Sequence, residues 1–244
     1  MNLFRFTIGI QLNKKLFRLP SIGGIVVDEI LSGMVTNKLL GVGYYTQVST
    51  PSTGGGEYSV SLIDDEKKHS LSILPNQFIF KKSSQSNQAS VSVDSAIEEF
   101  KAIWQIANKV VNFPEVRRIG MVGEFRRSEK TDGKGCIELV DALTKFQSPL
   151  SSSRFHLTFE DRELASGGAI ADANFDDFIN TIYSFYIGSM DETPTSDAIH
   201  SNIDVQKYYN PAKIDPIKEL QKVKSIYIEK KKDFKEQVKS LGLE

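Results

Sequence analysis

The sequence predicts an α+β protein, in which an antiparallel sheet carries helices packed on one face. Two observations predict this class. Short stretches in which apolar and polar residues alternate recur along the whole chain, and such alternation is typical of strands with one buried face. Longer stretches between them have apolar residues at every third or fourth position, as amphipathic helices do. The apolar stripes of these helices need a surface to pack against, and the apolar side of the sheet provides it.

The first half of the chain, residues 1–113, begins with a strand and a helix. The strand spans residues 3–12, and its apolar positions alternate with polar or small ones. We expect its core face to consist of Phe4, Phe6, Ile8 and Ile10. Pro20 and Ser21 are typical of a helix start, with Ser21 as the N-cap of a helix over residues 21–36.

Short strands and a long helix complete this half. The predicted strands lie at residues 42–50, 57–64, 69–74 and 77–82. A helix at 93–112 follows, with Ser92 or Asp94 available as its cap. Its apolar stripe has helical spacing and consists of Val93, Ala96, Ile97, Phe100, Trp104, Ala107 and Val111.

The second half, residues 114–244, follows the same order of elements. Pro114 ends the long helix, and a central strand begins after it. One side of that strand carries Ile119, Met121 and Phe125, and the other carries Arg118, Val122, Glu124 and Arg126. A short helix at 132–146 and strands at 154–162, 178–190 and 199–207 come next. In the strand at 154–162, alternation places Phe155, Leu157 and Phe159 inside.

The last helix begins at Pro216, with Asp215 as its N-cap. Its apolar seam consists of Leu220, Val223, Tyr227, Phe234, Val238 and Leu241. Each half therefore has the order strand, helix, three or more strands, helix, which we interpret as two β-α-β-β-β-α halves of one continuous sheet with a pseudo-twofold axis. Residue identity between the halves is negligible, so an internal duplication and a chance arrangement of α+β elements both stay open.

Two short stretches of the second half and the charged last helix carry a family resemblance. The stretches are Arg118-Ile119-Gly120-Met121 with Arg126, and Ile203-Asp204-Val205. The chain resembles an uncharacterised bacterial family of about this length that has an Arg-Ile-Gly central strand. It departs from that family at Val122-Gly123, where relatives have a bulky polar or aromatic pair. The resemblance implies a bacterial, cytosolic protein without established catalytic residues, with some relatives in mobile or defence loci.

Composition narrows the class of protein. A net charge of −1 disfavours a protein whose main task is to grip a polyanion. The single cysteine, Cys136, excludes an internal disulfide framework and fits a reducing compartment. No stretch approaches the ~18 consecutive apolar residues of a membrane span, and the first residues do not resemble a signal peptide. We therefore expect a cytoplasmic protein that does not act at a membrane.

The sequence lacks the catalytic motifs that can be recognised from spacing. It has no nucleophile elbow, no phosphate-binding loop that ends in lysine, and no HExxH zinc motif. The glycines at 54–56 have no lysine and no helix after them, so we interpret them as a hairpin loop. We predict no catalytic residue, no metal site and no cofactor, and consider an enzyme the weaker hypothesis.

The polar side of the strands is the candidate functional surface. Eight residues form the predicted partner-binding set: Arg5, Arg118, Glu124, Arg126, His156, Glu160, His200 and Asp204. Mixed charges with interspersed amides suit specific recognition of another protein, either in a complex or in a homodimer. A sheet face that is merely solvated is the plainer alternative. We expect a non-enzymatic interaction subunit, plausible in a bacterial defence or toxin–antitoxin system.

Two further functions use the same surface. A saddle-shaped sheet can sit on a nucleic-acid duplex. The basic cluster that favours this hypothesis consists of Arg117, Arg118, Arg126, Arg127, Lys130 and Lys134. A metal-dependent enzyme would instead use His156, His200, Asp204 and Glu160, whose imidazoles and carboxylates are suitable ligands. The strand order decides whether those four side chains meet.

Overall fold

Within the part of the chain that the structure describes, nine strands form one antiparallel sheet and four helices pack on one side. The structure is a computed structural model. It describes residues 1–36, 47–49, 58–64, 69–84, 89–127, 131, 134–145, 154–165, 177–189, 197–210 and 214–243. The beginning of the strand predicted at 42–50 and the glycine loop at 54–56 lie outside these residues. The α+β class is confirmed.

The bounds of the elements follow the predicted order. The strands are β1 (Asn2–Leu12), β2 (Gln47–Ser49), β3 (Val60–Asp64), β4 (His69–Leu74), β5 (Gln77–Ser83), β6 (Val116–Arg126), β7 (His156–Leu164), β8 (Phe178–Ser189) and β9 (Asp197–Tyr208). The helices are α1 (Leu19–Thr36), α2 (Val93–Val111), α3 (Gly135–Leu143) and α4 (Pro216–Ser240). The short helix α3 ends before the predicted residue 146, and α1 begins two residues before the predicted N-cap.

The strand order is β2-β3-β4-β5-β1-β6-β9-β8-β7. In each half the first strand pairs with the last strand of the same half, β1 with β5 and β6 with β9. The two first strands pair with each other antiparallel at the centre, in a register that places Ile8 opposite Met121. Residues 1–113 and 114–244 therefore contribute to one sheet. The first half has one strand more than the predicted β-α-β-β-β-α order, because β2, β3, β4 and β5 all lie between α1 and α2. The duplication stays a hypothesis.

Helix α2 covers the first half of the sheet with an aromatic stack. The Phe78 ring on β5 meets the rings of Phe100 and Trp104 edge-on, with centroids 5.6 and 5.1 Å away. Trp104 stacks in turn on Phe113 at 4.3 Å. The Ser92 side chain accepts a hydrogen bond from the Ser95 backbone N–H at 3.3 Å, which confirms the predicted N-cap.

Helix α4 covers the second half. Its N-cap is Asp215, whose carboxylate accepts a hydrogen bond from the Ile217 backbone N–H at 3.0 Å, as predicted. Five of the six predicted seam residues are buried: Leu220, Val223, Tyr227, Phe234 and Val238. Leu241 is 37% exposed instead, because the helix ends at Ser240. Gly242 then adopts a φ of 70°, and Leu243 is buried in its place.

Two apolar residues that alternation assigned to the core do not lie there. The register of β1 against β6 shifts between Leu3 and Arg5, so Leu3 is buried and Phe4 is only partly buried. The expectation for Phe4 was wrong because a bulge changes the side to which a residue points. Phe159 is 47% exposed, because β7 is at the edge of the sheet and its core-side residues are covered from one direction only.

Candidate functional site

We call the sheet surface opposite the four described helices the open face. Directly opposed residues of neighbouring strands project on the same side of a sheet. One cross-strand row runs from Arg126 through His200 and Tyr186 to His156. The rows beside it place the remaining predicted residues on the same side: Arg5 with Glu124, Asp204 with Glu160 through Ile182, and Arg118 opposite Tyr208. The eight candidate residues therefore share the open face.

Four rings form a continuous line across this face, which we call the aromatic row. Phe4 meets His200 edge-on at 5.3 Å between ring centroids. His200 stacks on Tyr186 at 5.2 Å, and Tyr186 meets His156 edge-on at 6.0 Å. His156 is exposed, whereas His200 is only 5% exposed. The two histidines thus lie on either side of one tyrosine, and the row becomes more accessible toward β7.

Cations surround the Phe4 end of the aromatic row. The guanidinium carbons of Arg126 and Arg5 lie 5.0 and 5.2 Å from the Phe4 ring centroid, within cation–π range. Arg5 Nη1 also donates a hydrogen bond to Glu124 Oε2 at 3.1 Å. Burial, together with the negative charge of Glu124, raises the pKa of Tyr186 to about 12, so this phenol stays protonated at neutral pH.

A second network occupies the middle of the open face. Arg118 Nη1 donates hydrogen bonds to Gln206 Oε1 at 3.0 Å and to the Tyr208 hydroxyl at 3.1 Å. Gln206 Nε2 donates in turn to Asp204 Oδ2 at 2.6 Å. The Gln206 amide therefore lies between the Arg118 guanidinium and the Asp204 carboxylate. Its oxygen accepts from Arg118 and its nitrogen donates to Asp204, so the amide fixes the orientation of the carboxylate.

Next to this network lies a small cavity of about 110 Å³, which we call the central depression. Gly9 and Gly120 oppose each other across β1 and β6 and leave space where other residues would carry side chains. The polar groups that line it belong to Thr7, Gln11, Gln77, Arg118, Asp204 and Gln206. A Cβ built on Gly9 would meet no atom within 4 Å. Open space at this point follows directly from the glycine pair.

Asp204 is the one carboxylate in the lining of the central depression. Its Oδ1 is buried and has no hydrogen-bond partner among the described residues. Burial raises the pKa of this carboxyl above its ordinary value, although the Gln206 hydrogen bond and the Arg118 charge act in the opposite direction. Keeping this group ionised therefore costs the folded protein stability at neutral pH.

We expect Asp204→Asn to stabilise the protein at pH 7. Because the pKa of Asp204 is raised on folding, its contribution to stability is most favourable below the ordinary pKa and is lost as the pH rises through the raised value. The advantage of the asparagine variant should thus shrink as the pH is lowered toward 3. Urea denaturation at pH 7 and at pH 3 measures both differences, and an advantage that is equal at the two pH values contradicts the expectation.

The four side chains proposed as metal ligands do not converge. Asp204 lies four residues from His200 along β9, a distance of about 13 Å in a strand. Glu160 pairs with Arg162 at 2.7 Å near the sheet edge and accepts a hydrogen bond from Asn180 at 3.3 Å. Among the residues that the structure describes, no group of three or more His, Cys, Asp or Glu side chains could hold a metal ion.

The basic cluster proposed for nucleic acid is divided between different surroundings. Arg118 and Arg126 lie on the open face. Arg127 forms an ion pair with Glu138 of α3, on the helix side, and Arg117 donates to the Tyr209 carbonyl oxygen at 2.9 Å. Lys130 lies outside the described residues. Neighbouring positions in the sequence therefore do not give one continuous basic surface.

A larger cleft of about 890 Å³ lies on the helix side, between the end of α2 and the start of α4. Its apolar wall includes Trp104, Ile106, Phe113, Ile214, Pro216 and Ile217. Two of its polar groups have structural roles, since Asn108 Oδ1 accepts from the Phe113 backbone and Asp215 caps α4. Size alone favours this cleft, but the convergent charged and aromatic groups are on the open face, and we place the candidate site there.

Comparisons with protein families and curated proteins identify no relative, so the geometry alone supports the interpretation of the site. No protein-family model matches the sequence, and no curated protein matches it. The resemblance through the Arg118 and Asp204 strands stays an expectation. Among the described helices, none has both the length and the apolar character that crossing a membrane requires.

Sequence reasoning missed several members of the site. Phe4 was assigned to the core, and Tyr186 lies in a strand so apolar that alternation could not assign its side. Gly9 and Gly120 both occupy outward positions, a signal that a depression could form there. That signal becomes informative only when the two strands are known to be neighbours in this register.

Proposed function

We propose that the protein is a non-enzymatic interaction subunit that binds another protein through the open face. The observation that carries the proposal is the aromatic row with Arg5 and Arg126 at its Phe4 end. Arginine and tyrosine are enriched among the residues that dominate binding energy in protein interfaces. The row presents them on a rigid sheet, and Glu124 and Glu160 provide charges of the opposite sign beside it.

The arrangement suits a protein partner better than a nucleic acid. Bases stack on exposed ring faces, but Tyr186 and His200 already stack on each other, as do Phe178 and Tyr208 at 4.4 Å. The cations of the open face are also interspersed with carboxylates, as in the pair between Arg5 and Glu124. A mixed-sign surface favours specific protein recognition over attraction to a phosphate backbone.

The resemblance to an uncharacterised bacterial family supplies the biological setting of this proposal. We place the protein in the bacterial cytoplasm, as a component of a defence or toxin–antitoxin system. The partner is another subunit of that system or a second copy of the chain.

Arg126→Glu should weaken partner binding at least tenfold. It removes the cation over the Phe4 ring and introduces a carboxylate next to Glu124, which repels it. Tagged wild-type and variant proteins are isolated from native cells, and the co-purified protein is identified and titrated against each variant. Lys218→Glu is the matched charge reversal, since this side chain is 83% exposed on the helix side. Equal partner binding by all three proteins contradicts the proposal, as does a chain that stays monomeric and alone.

A mobility-shift assay at low salt distinguishes the nucleic-acid alternative. Phosphate contacts give a steep loss of affinity with increasing salt. We expect no shift at low salt. A salt-sensitive shift that Arg126→Glu removes and Lys218→Glu retains would replace the protein partner with a nucleic acid.

A further inference from the structure

We propose that the central depression is a socket for a single cationic side chain of the partner, a lysine ammonium or an arginine guanidinium, held by Asp204 Oδ1. The inference rests on the proposed function, and it specifies the chemistry by which the partner is recognised. Between Gly9 and Gly120 the open face has a small depression that the end of a side chain can enter.

The size of the central depression selects a side-chain end over a larger ligand. Its volume of about 110 Å³ equals roughly four waters at about 30 Å³ each, well below the roughly 300 Å³ at which small-molecule pockets begin. The space depends on both glycines. A Cβ on Gly120 would lie 3.7 Å from Asp204 Oδ1, which shows that this oxygen is directed over the glycine floor.

The orientation of Asp204 is fixed before any ligand arrives. Gln206 Nε2 holds Oδ2, and Arg118 and Tyr208 hold the other end of the Gln206 amide. Because Oδ2 accepts from Gln206, Oδ1 is the carboxylate oxygen that is buried without a hydrogen-bond partner among the described residues, and it is the oxygen that we assign to the ligand. Arg118, the one cation among the described residues that line the central depression, donates its hydrogen bonds to Gln206 and Tyr208.

The chemistry of the lining calls for a cationic donor. A buried carboxylate oxygen without a hydrogen bond is costly, and a charged N–H group compensates that cost more strongly than a neutral one. Gln11 and Gln77 add amide oxygens, and Thr7 adds a hydroxyl, so further N–H groups of an ammonium or guanidinium find acceptors. Water alone would satisfy the oxygen without preference for charge, and the experiment below separates these two occupants.

The test uses small cations in place of the partner. Methylammonium and methylguanidinium chloride are titrated into the purified, ¹⁵N-labelled full chain at constant ionic strength, with N-methylurea as the neutral analogue. We expect saturable shifts of the Gly9 and Gly120 backbone amide signals at millimolar concentrations of the cations. The amide signal of Gly24, on α1, should not move. Tighter binding of methylammonium identifies the partner side chain as lysine, and tighter binding of methylguanidinium identifies it as arginine.

Two variants remove the socket in different ways. Asp204→Asn keeps the Gln206 hydrogen bond but removes the charge, and it should weaken the binding of either cation about tenfold or more. Gly9→Val fills the cavity and leaves the carboxylate in place, because a Cβ at this position meets nothing within 4 Å, and it should abolish the shifts at Gly120. Asp161→Asn, at an exposed position of β7, is the matched control and should bind like the wild type.

The outcomes separate this inference from the proposed function. Absence of saturable shifts, equal shifts with N-methylurea, or an unchanged response in folded Asp204→Asn protein each overturn the socket. If Arg126→Glu still weakens partner binding but the small cations do not bind, the socket is wrong and the proposed interaction function is kept. If the cations bind as expected but no partner is found, the socket stands as a site of the free protein and the proposed function falls.

Discussion

Phe234→Ala should lower the free energy of unfolding by about 3–5 kcal/mol, as truncation of a buried phenylalanine does in well-packed cores. Phe234 is 2% exposed and joins α4 to two strands, β6 and β8. Its ring centroid lies 6.1 Å from that of Phe125 on β6, 5.5 Å from Tyr183 and 5.6 Å from Phe185 on β8. Removing the ring leaves a cavity that these neighbours cannot close without moving the helix.

Phe159→Ala is the matched control for this change. Phe159 stacks on the same Tyr183 ring at 5.0 Å, but it is 47% exposed at the edge strand. We expect it to cost roughly 1 kcal/mol or less, because the ring loses little burial. Chemical denaturation of both variants measures the difference. Similar losses at the two positions would mean that α4 does not pack on the sheet through Phe234.

Gly123→Ala should destabilise the protein by about 1–3 kcal/mol, the range of overpacking in a core. Gly123 lies on the helix side of β6, directly under the Tyr227 hydroxyl of α4. A Cβ there would overlap with Tyr227 Oη and would also lie 3.1 Å from Cζ and 3.2 Å from Leu3 Cδ1. This close approach explains why position 123 is a glycine.

Gly120→Ala provides the comparison on the same strand. Its Cβ would lie 3.7 Å from the nearest atoms, an ordinary contact, so we expect a change of roughly 0.5 kcal/mol in either direction. Tyr227→Phe should recover part of the loss in a Gly123→Ala background, because it removes the hydroxyl but keeps the ring. A double-mutant cycle by urea denaturation gives the coupling energy. Additive effects at 123 and 227 would contradict the steric explanation.

The elements that sequence predicted best are those whose local signals agree with one another. In α4 the N-cap Asp215, Pro216 and a regular apolar seam all indicate the same helix, and the structure confirms it. In β6 the alternation of Ile119, Met121 and Phe125 with polar residues directly gives the buried and open sides. Periodicity works here because each element contacts the core along one uninterrupted face.

The features that sequence could not predict depend on neighbours in space. The bulge at Phe4 arises from the pairing of β1 with β6, and no residue in β1 predicts it from the sequence. The exposure of Phe159 follows from the edge position of β7. The central depression needs Gly9 opposite Gly120, and the orientation of Asp204 needs Gln206 beside Arg118. Strand order and register decide all of these, and neither is encoded in local spacing.

The pairing of β1 with β6 also determines the timing of folding during synthesis. β1 ends at Leu12, but β6 does not begin until Val116. At about 5–20 residues per second, the ribosome needs roughly 5 to 20 s to supply that partner. Throughout this interval one edge of β1 presents unpaired backbone N–H and C=O groups, which are a template for strand addition by other chains. The β1 edge is thus open to strand addition until β6 has been made, and the β6 edge that pairs with β9 stays open for longer still.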